Sequence, residues 1–430
     1  MIFTNKDIIS NSFIFFIFFL HSIEMLYEEV IDEYLAKKEE DLIKPAYGEK
    51  SIVEIPRTFL YKFGNRIKNV NKSLLKSLKG EHIVFILLDA MGFNIFLRFI
   101  FGKRKYSKML QKIQYFDVLT STVPSTTVTA LTSLYTAEYP GQHGIMGYKM
   151  YLAEAGSIIK VLSYSPTLCT QRETLKDSGT DMNLFLNKST IFSILEDFGV
   201  SSYVLTYEGH LTSTFTQNIT YGAKVIGDIT LVDAITLISK IVNRNKASLI
   251  YSYIGIIDAL SHKYGPFSIH VKYALELIFS LIQRLIDIVD MKKVNIVISA
   301  DHGQLRVFKK NTYFFDKICK RCNLNWLIPP FGEKRFSYIY IGDESKIEKF
   351  EKCFGESFNL FRSKDIARKY FFGPIRNKKV LYGRIGDIIL SGKGNNLLIY
   401  PYKKDDLEMN LKGHHGGLSP DEMLVPIIVF

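Results

Sequence analysis

The chain has 430 residues, of which 47% are hydrophobic and 23% are charged. This balance is typical of an ordinary globular protein, and it excludes a disordered chain, a collagen, a disulfide miniprotein and a protein with many membrane spans. Lysine and arginine outnumber aspartate and glutamate by 55 to 43, which gives a net charge of +12. The charge favours anionic ligands but identifies none of them. At this length we expect one large core with an insertion.

The N-terminal segment contains an apolar run at residues 12–20, which is much shorter than the roughly 20 residues that a membrane-spanning helix needs. It lacks a strongly positive flank and a small-residue cleavage site, so a signal peptide or membrane anchor is disfavoured. An amphipathic helical pattern begins at Met25, which is an alternative start to Met1. We expect a mostly helical extension at residues 1–45, a cytoplasmic protein and no membrane partner.

Beyond this extension, short apolar runs alternate with helical patterns, which is typical of a mostly parallel sheet flanked by helices. We predict buried strands at residues 83–88, 202–205, 249–254 and 294–299. Residues 305–394 have an irregular pattern that is rich in aromatic and basic side chains, which predicts an inserted cap or lobe. The core then comprises residues 46–304 and, as its C-terminal part, residues 395–430.

The four cysteines form no repeated framework, which favours a reducing compartment over a disulfide scaffold. Cys319 and Cys322 have the spacing of half a zinc site, but no second pair of this kind exists in the sequence. We therefore interpret them as two thiols on one helix.

Acidic residues follow three of the predicted strands, namely Asp89, Asp258 and Asp301. A single aspartate in such a place is more often a helix cap. Three of them at the carboxyl ends of parallel strands indicate a ligand site. His262 lies four residues after Asp258, so one helical turn would place both side chains on one face. His302 directly follows Asp301, at a turn that the next glycine permits.

A further ligand candidate lies near the C-terminus in the sequence GHHGG, where His414 or His415 precedes two glycines. Carboxylate oxygen and imidazole nitrogen together suit zinc or manganese, whereas an all-oxygen set suits calcium or magnesium. The complete set is large enough for two metal ions.

A serine and threonine cluster follows Pro124 and precedes a helical pattern, and Ser125, Thr126 and Thr127 are all good helix caps. Capping alone is the simpler interpretation of these residues. A hydroxyl at a helix N-terminus beside a metal is also well placed to attack phosphorus, because the metal lowers its pKa and the helix end attracts an oxyanion.

Five blocks of the sequence occur in the order and approximate spacing of the alkaline phosphatase superfamily: LLDAMG, VPSTTVTALTSLYT with PGQHGI, DALSHKYGP, ADHG and HHGGLSPDEMLVP. From about Ile83 to the C-terminus they resemble in particular its type I phosphodiesterase/nucleotide pyrophosphatase branch. The resemblance implies an α/β fold, an alkaline-phosphatase-like three-layer sandwich with a mostly parallel central sheet and an inserted cap. The sulfatase branch is disfavoured because its C/S-x-P-x-R motif is missing from the sequence.

The resemblance also implies the roles of single residues. Thr127 would be the nucleophile, with its neighbour Thr126 as the alternative. The metal ligands would be Asp89, Thr127, Asp301 and His302 at one site, and Asp258, His262 and His415 at the other. His415 is preferred to His414 because the family's histidine directly precedes the glycine. Two divalent metal ions, zinc or else manganese, are the expected cofactors.

The chain departs from the family pattern at Tyr148, which stands where related pyrophosphatases have an asparagine that holds a phosphoryl oxygen. A phenol donates one hydrogen bond and does not reproduce an amide. We therefore name Tyr148 and Lys149 as candidate substrate-binding residues.

These observations predict a metal-dependent hydrolase of phosphodiester or pyrophosphate bonds, which acts on a nucleotide-like small molecule through a phospho-threonine intermediate. A phosphomonoesterase or phosphonate hydrolase is the nearest alternative, because both use the same metals. The alternative of another class is a catalytically silent protein that binds anions or nucleic acid. The sequence shows no zinc finger and no helix-turn-helix signal, so no stable nucleic-acid partner is expected.

Overall fold

The computed structural model describes residues 42–182, 189–243, 246–403 and 410–430. The extension predicted at residues 1–45, with its apolar run and the alternative start Met25, therefore lies almost wholly outside the described residues. No helix within the described ranges combines the length and the apolar character that crossing a bilayer requires.

Helices and strands are numbered here in chain order within the described residues. The helices are α1 Glu54–Lys62, α2 Lys72–Ser77, α3 Phe93–Phe99, α4 Ser107–Leu110, α5 Thr127–Thr136, α6 Pro140–His143, α7 Thr174–Asp177, α8 Ile191–Glu196, α9 Thr214–Ile219, α10 Leu231–Val242, α11 Ile256–Tyr264, α12 Ile269–Ile288, α13 Phe315–Cys322, α14 Ile347–Phe354, α15 Ser363–Arg368, α16 Lys378–Ile385 and α17 Pro420–Met423. The strands are β1 His82–Leu88, β2 Tyr115–Thr120, β3 Lys149–Leu152, β4 Ser157–Lys160, β5 Ser165–Pro166, β6 Ser201–Tyr207, β7 Lys224–Asp228, β8 Ser248–Ile254, β9 Val294–Ser299, β10 Leu305–Arg306, β11 Thr312–Phe314, β12 Phe331–Glu333, β13 Phe336–Ile339, β14 Phe358–Arg362, β15 Ile388–Gly392, β16 Leu397–Ile399, β17 Gly413–His414 and β18 Leu424–Val429.

The central sheet is mostly parallel, as predicted. Among the described residues it has seven strands in the order β2-β18-β9-β1-β8-β6-β7. Strands β9, β1, β8, β6 and β7 are parallel to one another, and β18 alone runs antiparallel to its two neighbours. The four predicted strands are confirmed as β1, β6, β8 and β9. Every residue of β1 and β9 is buried, as expected for strands that are covered on both faces.

Helices cover both faces of this sheet. On one face, Phe85 of β1 packs against Phe59 of α1, with ring centres 5.7 Å apart. On the other face, Ile86, the next residue of β1, lies beside Ile235 of α10 and Ile282 of α12. Because successive side chains of a strand point to opposite faces, the two helical groups lie on opposite sides of β1. The predicted α/β three-layer sandwich is thus confirmed.

A second sheet lies beside the core and is antiparallel. Within the described ranges it has seven strands in the order β14-β15-β13-β12-β3-β4-β5. Strands β12 to β15 belong to the segment predicted as an insert at 305–394, whereas β3 to β5 belong to the predicted core. Gly332 of β12 pairs with Lys149 of β3 and so joins the two groups of strands. The predicted domain boundaries themselves stay a prediction.

A buried ion pair links the second sheet to helix α17 near the C-terminus. Arg335 donates through Nε and Nη2 to the two carboxylate oxygens of Glu422, at 3.1 and 2.8 Å, and both side chains are fully buried. Glu422 also accepts hydrogen bonds from the backbone N–H of Gly417 at 2.8 Å and from the hydroxyl of Ser419 at 2.6 Å. Because both charges are removed from water, each depends on the other for compensation.

The cysteines differ in part from the expectation. Cys319 and Cys322 both lie on α13, but Cys322 forms a disulfide with Cys353 of α14, so the interpretation as two free thiols is wrong for Cys322. Cys319 is a buried free thiol. The two bonded cysteines are 31 positions apart. Spacing along the chain does not show which helices pack together, so the pairing was not predictable from it.

We expect the Arg335→Met variant to have a free energy of unfolding lower by about 3–5 kcal/mol, because the substitution leaves the Glu422 charge buried without a partner. Denaturant-induced unfolding measures this change. The matched control is Arg362→Met, since Arg362 pairs with Glu344 at 3.5 Å while the two side chains are 53% and 66% exposed. That control should change the same free energy by only about 0–1 kcal/mol. Equal losses in the two variants would contradict the assignment of Arg335.

Candidate functional site

The predicted site residues meet at one edge of the central sheet. Asp89 directly follows β1, and Asp258 and His262 lie on α11 after β8. Asp301 and His302 follow β9 after one intervening residue, Ala300. Strands β9, β1 and β8 are adjacent and parallel, so their carboxyl ends open onto the same crevice. The topology of the sheet therefore brings together side chains from three separate parts of the chain.

The first candidate ligand group consists of Asp89, Asp301 and His302, all of them buried. Their ligand atoms lie within 4.8 Å of one another. His302 Nε2 is 3.4 Å from Asp301 Oδ2 and 3.6 Å from Asp89 Oδ1. Among the described residues, these two carboxylate oxygens have no hydrogen-bond partner. A buried carboxylate oxygen without a donor is unfavourable, and a bound cation would compensate it.

The second candidate ligand group consists of Asp258, His262 and His415, whose ligand atoms also lie within 4.8 Å of one another. The Nε2 atoms of His262 and His415 are 3.3 and 3.8 Å from Asp258 Oδ1. The side-chain amide of Gln304 donates to the same oxygen. His415 belongs to this group, whereas His414 lies on β17 and has its ring centre 6.0 Å from that of His262.

The ligand-group histidines are held in one tautomer. Each has its Nδ1 atom within hydrogen-bond distance of a backbone carbonyl oxygen: His262 of Gly413 at 2.7 Å, His302 of Gly303 at 3.0 Å and His415 of Ser125 at 3.2 Å. Because a carbonyl only accepts hydrogen bonds, Nδ1 carries the proton and Nε2 presents a lone pair toward the carboxylates. Metal-binding histidines require this arrangement. The residues therefore fit two divalent ions, with nitrogen and oxygen ligands that suit zinc or manganese.

The electrostatics of the site also favour cations. Burial, followed by the negative charges of Asp301 and Asp258, raises the pKa of Asp89 well above its usual value. Burial, followed by the nearby His302 and His262, lowers the pKa of His415 well below its usual value, which keeps this imidazole neutral. A neutral imidazole offers a free lone pair to a divalent cation, and a bound cation stabilises the ionised form of clustered carboxyl groups.

Thr127 lies next to the first ligand group. It is the first residue of α5, and its Oγ1 atom is 3.0 Å from His302 Nε2. Thr126 is the N-cap residue of the same helix, but its hydroxyl does not cap the helix and instead lies near the carboxylate of Glu333, whose pKa it lowers. The two threonines that the sequence offered as nucleophile therefore face different partners, and Thr127 is the one that contacts a candidate metal ligand.

A cavity of about 230 Å³ opens on these residues. Its lining includes both threonines and the second ligand group, together with Tyr148, Lys149, Glu333 and Lys334. Lys149 is buried, and its ammonium group lies 4.7 Å from the ring centre of Tyr402. The structure thus places both candidate substrate-binding residues, Tyr148 and Lys149, at the cavity that the ligand groups share.

A second cavity of about 440 Å³ adjoins the first and shares Thr127 and Tyr148 with it. Its lining combines apolar side chains, such as Leu131, Phe215 and Ile219, with hydroxyl groups, Arg172 and His210. Such a cavity suits an organic group of a small-molecule ligand.

Three site residues were not predicted from the sequence. Tyr253 donates its hydroxyl to Asp89 Oδ2, and Gln304 bonds to Asp258 as described above. Both stand beside predicted strand ends, where a search for partners of the aspartates would have found them. Glu333 lies in the segment 305–394, and nothing in its local sequence distinguishes it from other glutamates.

Comparison with known proteins identifies a sequence family and a fold for the chain. The sequence profile of the family "Type I phosphodiesterase / nucleotide pyrophosphatase" matches residues 83–418. No curated protein sequence matches the chain. Among solved structures, murine ectonucleotide pyrophosphatase/phosphodiesterase 5 is similar with a TM-score of 0.59 and 12% identity, over 81% of this chain and 87% of that one. An inactive form of the murine protein was solved in complex with AMP.

Phosphonoacetate hydrolase from Sinorhizobium meliloti 1021, solved with phosphonoacetate, is also similar. It has a TM-score of 0.59 and 18% identity, over 81% of this chain and 89% of that one. At these identities the solved structures support the alkaline-phosphatase-like fold alone. Membership of the family rests on the match to the sequence profile.

We expect His262→Ala to reduce the metal content of the purified protein by about half, because it removes one ligand of one group and leaves the other group intact. Elemental analysis of wild type and variant measures the content. The control is His270→Ala, since His270 is exposed and stacks on Tyr264 outside both ligand groups. Unchanged metal content in His262→Ala would remove this residue from the ligand set.

Proposed function

The chain belongs to the type I phosphodiesterase/nucleotide pyrophosphatase family and is a hydrolase of phosphoric ester or anhydride bonds, and we propose that it cleaves phosphodiester or pyrophosphate bonds of nucleotide-like small molecules through a phospho-threonine intermediate. The observation that carries this proposal is the position of the Thr127 hydroxyl, 3.0 Å from His302 Nε2 and beside two groups of metal-ligating side chains.

Two divalent ions, zinc or else manganese, would be held by the two ligand groups, where they would lower the pKa of the Thr127 hydroxyl and neutralise charge on the phosphoryl oxygens. Asp89, Asp301 and His302, with Thr127 itself, would hold one ion, and Asp258, His262 and His415 the other.

Thr127 acts in two steps. Its oxygen forms a bond to phosphorus while the bond between phosphorus and the leaving oxygen breaks, and the protons lost by the threonine and gained by the leaving group are exchanged with solvent. Water then attacks the phospho-threonine, so that its oxygen stays on the phosphate product and the Thr127 hydroxyl is restored. The N-terminal end of α5 favours the negative charge that develops beside it.

Backbone and side-chain contacts keep Thr127 in place for this chemistry. All residues of α5 are buried, so the helix is fixed by packing on every side. The hydroxyl of Ser125 donates to the carbonyl oxygen of Gly417 at 2.7 Å, and the carbonyl oxygen of Ser125 accepts from His415. The turn before the nucleophile is therefore bonded directly to the loop that carries a ligand of the second group.

The Thr127→Ala variant should lose activity by at least about 10³-fold, because among the described residues no other hydroxyl is hydrogen-bonded to His302. Stability should fall by only about 0.5–1.5 kcal/mol, since one hydrogen bond of the hydroxyl is lost. Initial rates with bis-p-nitrophenyl phosphate and metal-reconstituted protein measure the first effect. Thr126→Ala is the matched control and should be the milder change. Near-wild-type rates in Thr127→Ala would disprove the assignment of the nucleophile.

The substrate preference follows from the two cavities that share Thr127. We expect kcat/KM for an aryl diester or a dinucleotide to exceed that for the matching aryl monoester, because the 440 Å³ cavity accommodates a second organic group beside Tyr148. A panel of bis-p-nitrophenyl phosphate, p-nitrophenyl phosphate, ATP and a phosphonate, compared at equal pH and metal loading, tests this order. Faster turnover of the monoester or of the phosphonate would assign the protein to that alternative activity instead.

A further inference from the structure

Glu333 reaches the site from the second sheet. Gly332 pairs with Lys149 across the junction of β12 and β3, and this register places Glu333 beside Tyr148. The backbone N–H of Tyr148 donates to Glu333 Oε1 at 2.6 Å. One oxygen of the carboxylate is therefore fixed by a residue that lines the cavity in front of the ligand groups.

The turn before Thr127 also lies beside this carboxylate. The Thr126 hydroxyl makes no cap hydrogen bond to α5, and its proximity lowers the pKa of Glu333. Burial has the larger, opposite effect and raises this pKa to about 7. At alkaline pH Glu333 is therefore ionised, and an ionised carboxylate only accepts hydrogen bonds.

Glu333 also lies against the loop that carries His415. The next residue, Gly416, has a φ of +109°, and a Cβ atom there would come within 2.5 Å of Glu333 Cβ. Only glycine leaves room for this approach. Together with Thr127 and His415, Glu333 lines the cavity of about 230 Å³. A carboxylate is therefore built into the wall of the cavity that the phosphoryl group would enter.

We infer that Glu333 is a specificity-determining residue, which disfavours substrates with a dianionic terminal phosphate and so favours monoanionic diesters. The inference rests on the proposed function and explains its diester preference by a particular side chain.

The physical reason lies in the charges of the two substrates. A monoester presents three non-bridging oxygens and about two negative charges, whereas a diester presents two such oxygens and one charge. An acceptor cannot donate to the additional oxygen, and two negative charges at close range in a cavity repel one another more strongly than in water.

Lys149 does not reverse this preference. Its positive charge interacts with the carboxylate of Glu333, so the glutamate offsets a lysine charge that would otherwise attract a dianion. The opposite effect is expected when the carboxylate is replaced by an amide, since the amide removes one negative charge from the cavity wall and offers an N–H donor.

The test is the Glu333→Gln variant, which keeps the size of the side chain and an oxygen for the Tyr148 N–H. Wild type and variant, both metal-reconstituted, are assayed with p-nitrophenyl phosphate and bis-p-nitrophenyl phosphate at one alkaline pH. We expect the ratio of kcat/KM for the monoester to that for the diester to rise about tenfold in the variant. Inorganic phosphate should also inhibit the variant more strongly. Glu344→Gln, a variant of an exposed glutamate in the same segment, should leave the ratio unchanged.

A purely structural role of Glu333 would lower both activities by the same factor, and an unchanged ratio would therefore overturn the inference. A measurement on wild type alone covers the case in which Glu333→Gln does not fold. Phenylphosphonate and its monomethyl ester differ by one charge, and the ester should be the stronger competitive inhibitor; the reverse order would also overturn the inference. Wild type without metal-dependent turnover of either substrate would instead refute the proposed function, and the inference with it.

Discussion

The buried ion pair of Arg335 and Glu422 determines how the two sheets meet at the site. Arg335 comes from the second sheet, two residues after Glu333, and Glu422 lies on α17 just before the last strand of the central sheet. The carboxylate of Glu422 accepts hydrogen bonds from Gly417 and Ser419. The backbone carbonyl oxygen of Glu422 accepts another from the N–H of Gly303 at 2.9 Å. One fully buried glutamate is thus bonded to the loop that follows His415 and to the turn that follows His302. Because neither charge has access to water, the geometry of the pair cannot relax without a large loss of stability.

This rigid frame holds together side chains that repel one another. Asp89 and Asp301 lie in the turns after β1 and β9, and Asp258 lies on α11. Burial, followed by the negative charges of Asp301 and Asp258, raises the pKa of Asp89. Clustering carboxyl groups in a protein core lowers stability, since each group loses hydration and is repelled by its negatively charged neighbours. Cations that bind only to the folded arrangement would stabilise it by an amount that grows with the logarithm of their concentration above Kd. Bound metal ions would therefore compensate the charges of the carboxyl groups that the fold brings together.

The part of the fold that could be predicted from the sequence depends on local patterns. Strands β1, β8 and β9 are continuous apolar runs, and the aspartates that follow them are adjacent in space because parallel strands end at one edge. Asp258 and His262 share a helix face because they are four residues apart. Glu333 and the Cys322–Cys353 disulfide depend on contacts between distant segments. The Tyr148–Glu333 hydrogen bond joins residues 185 positions apart, and no local spacing encodes it.

The two sheets contribute different residues to the site. The central sheet and its loops supply every candidate metal ligand, whose placement follows from strand ends and from the first turn of α5. The second sheet supplies Lys149 and Glu333, which line the cavity beside the candidate ligand groups. Their placement depends on the register of β12 against β3, and a slip of one residue would turn Glu333 to the other face of the sheet. Glycine at 332 and 416 permits the close approach that this register requires, because a Cβ atom at either position would come within 2.7 Å of a neighbouring atom. Changes in the second sheet can therefore alter the lining of the cavity while the geometry of the candidate metal ligands stays the same.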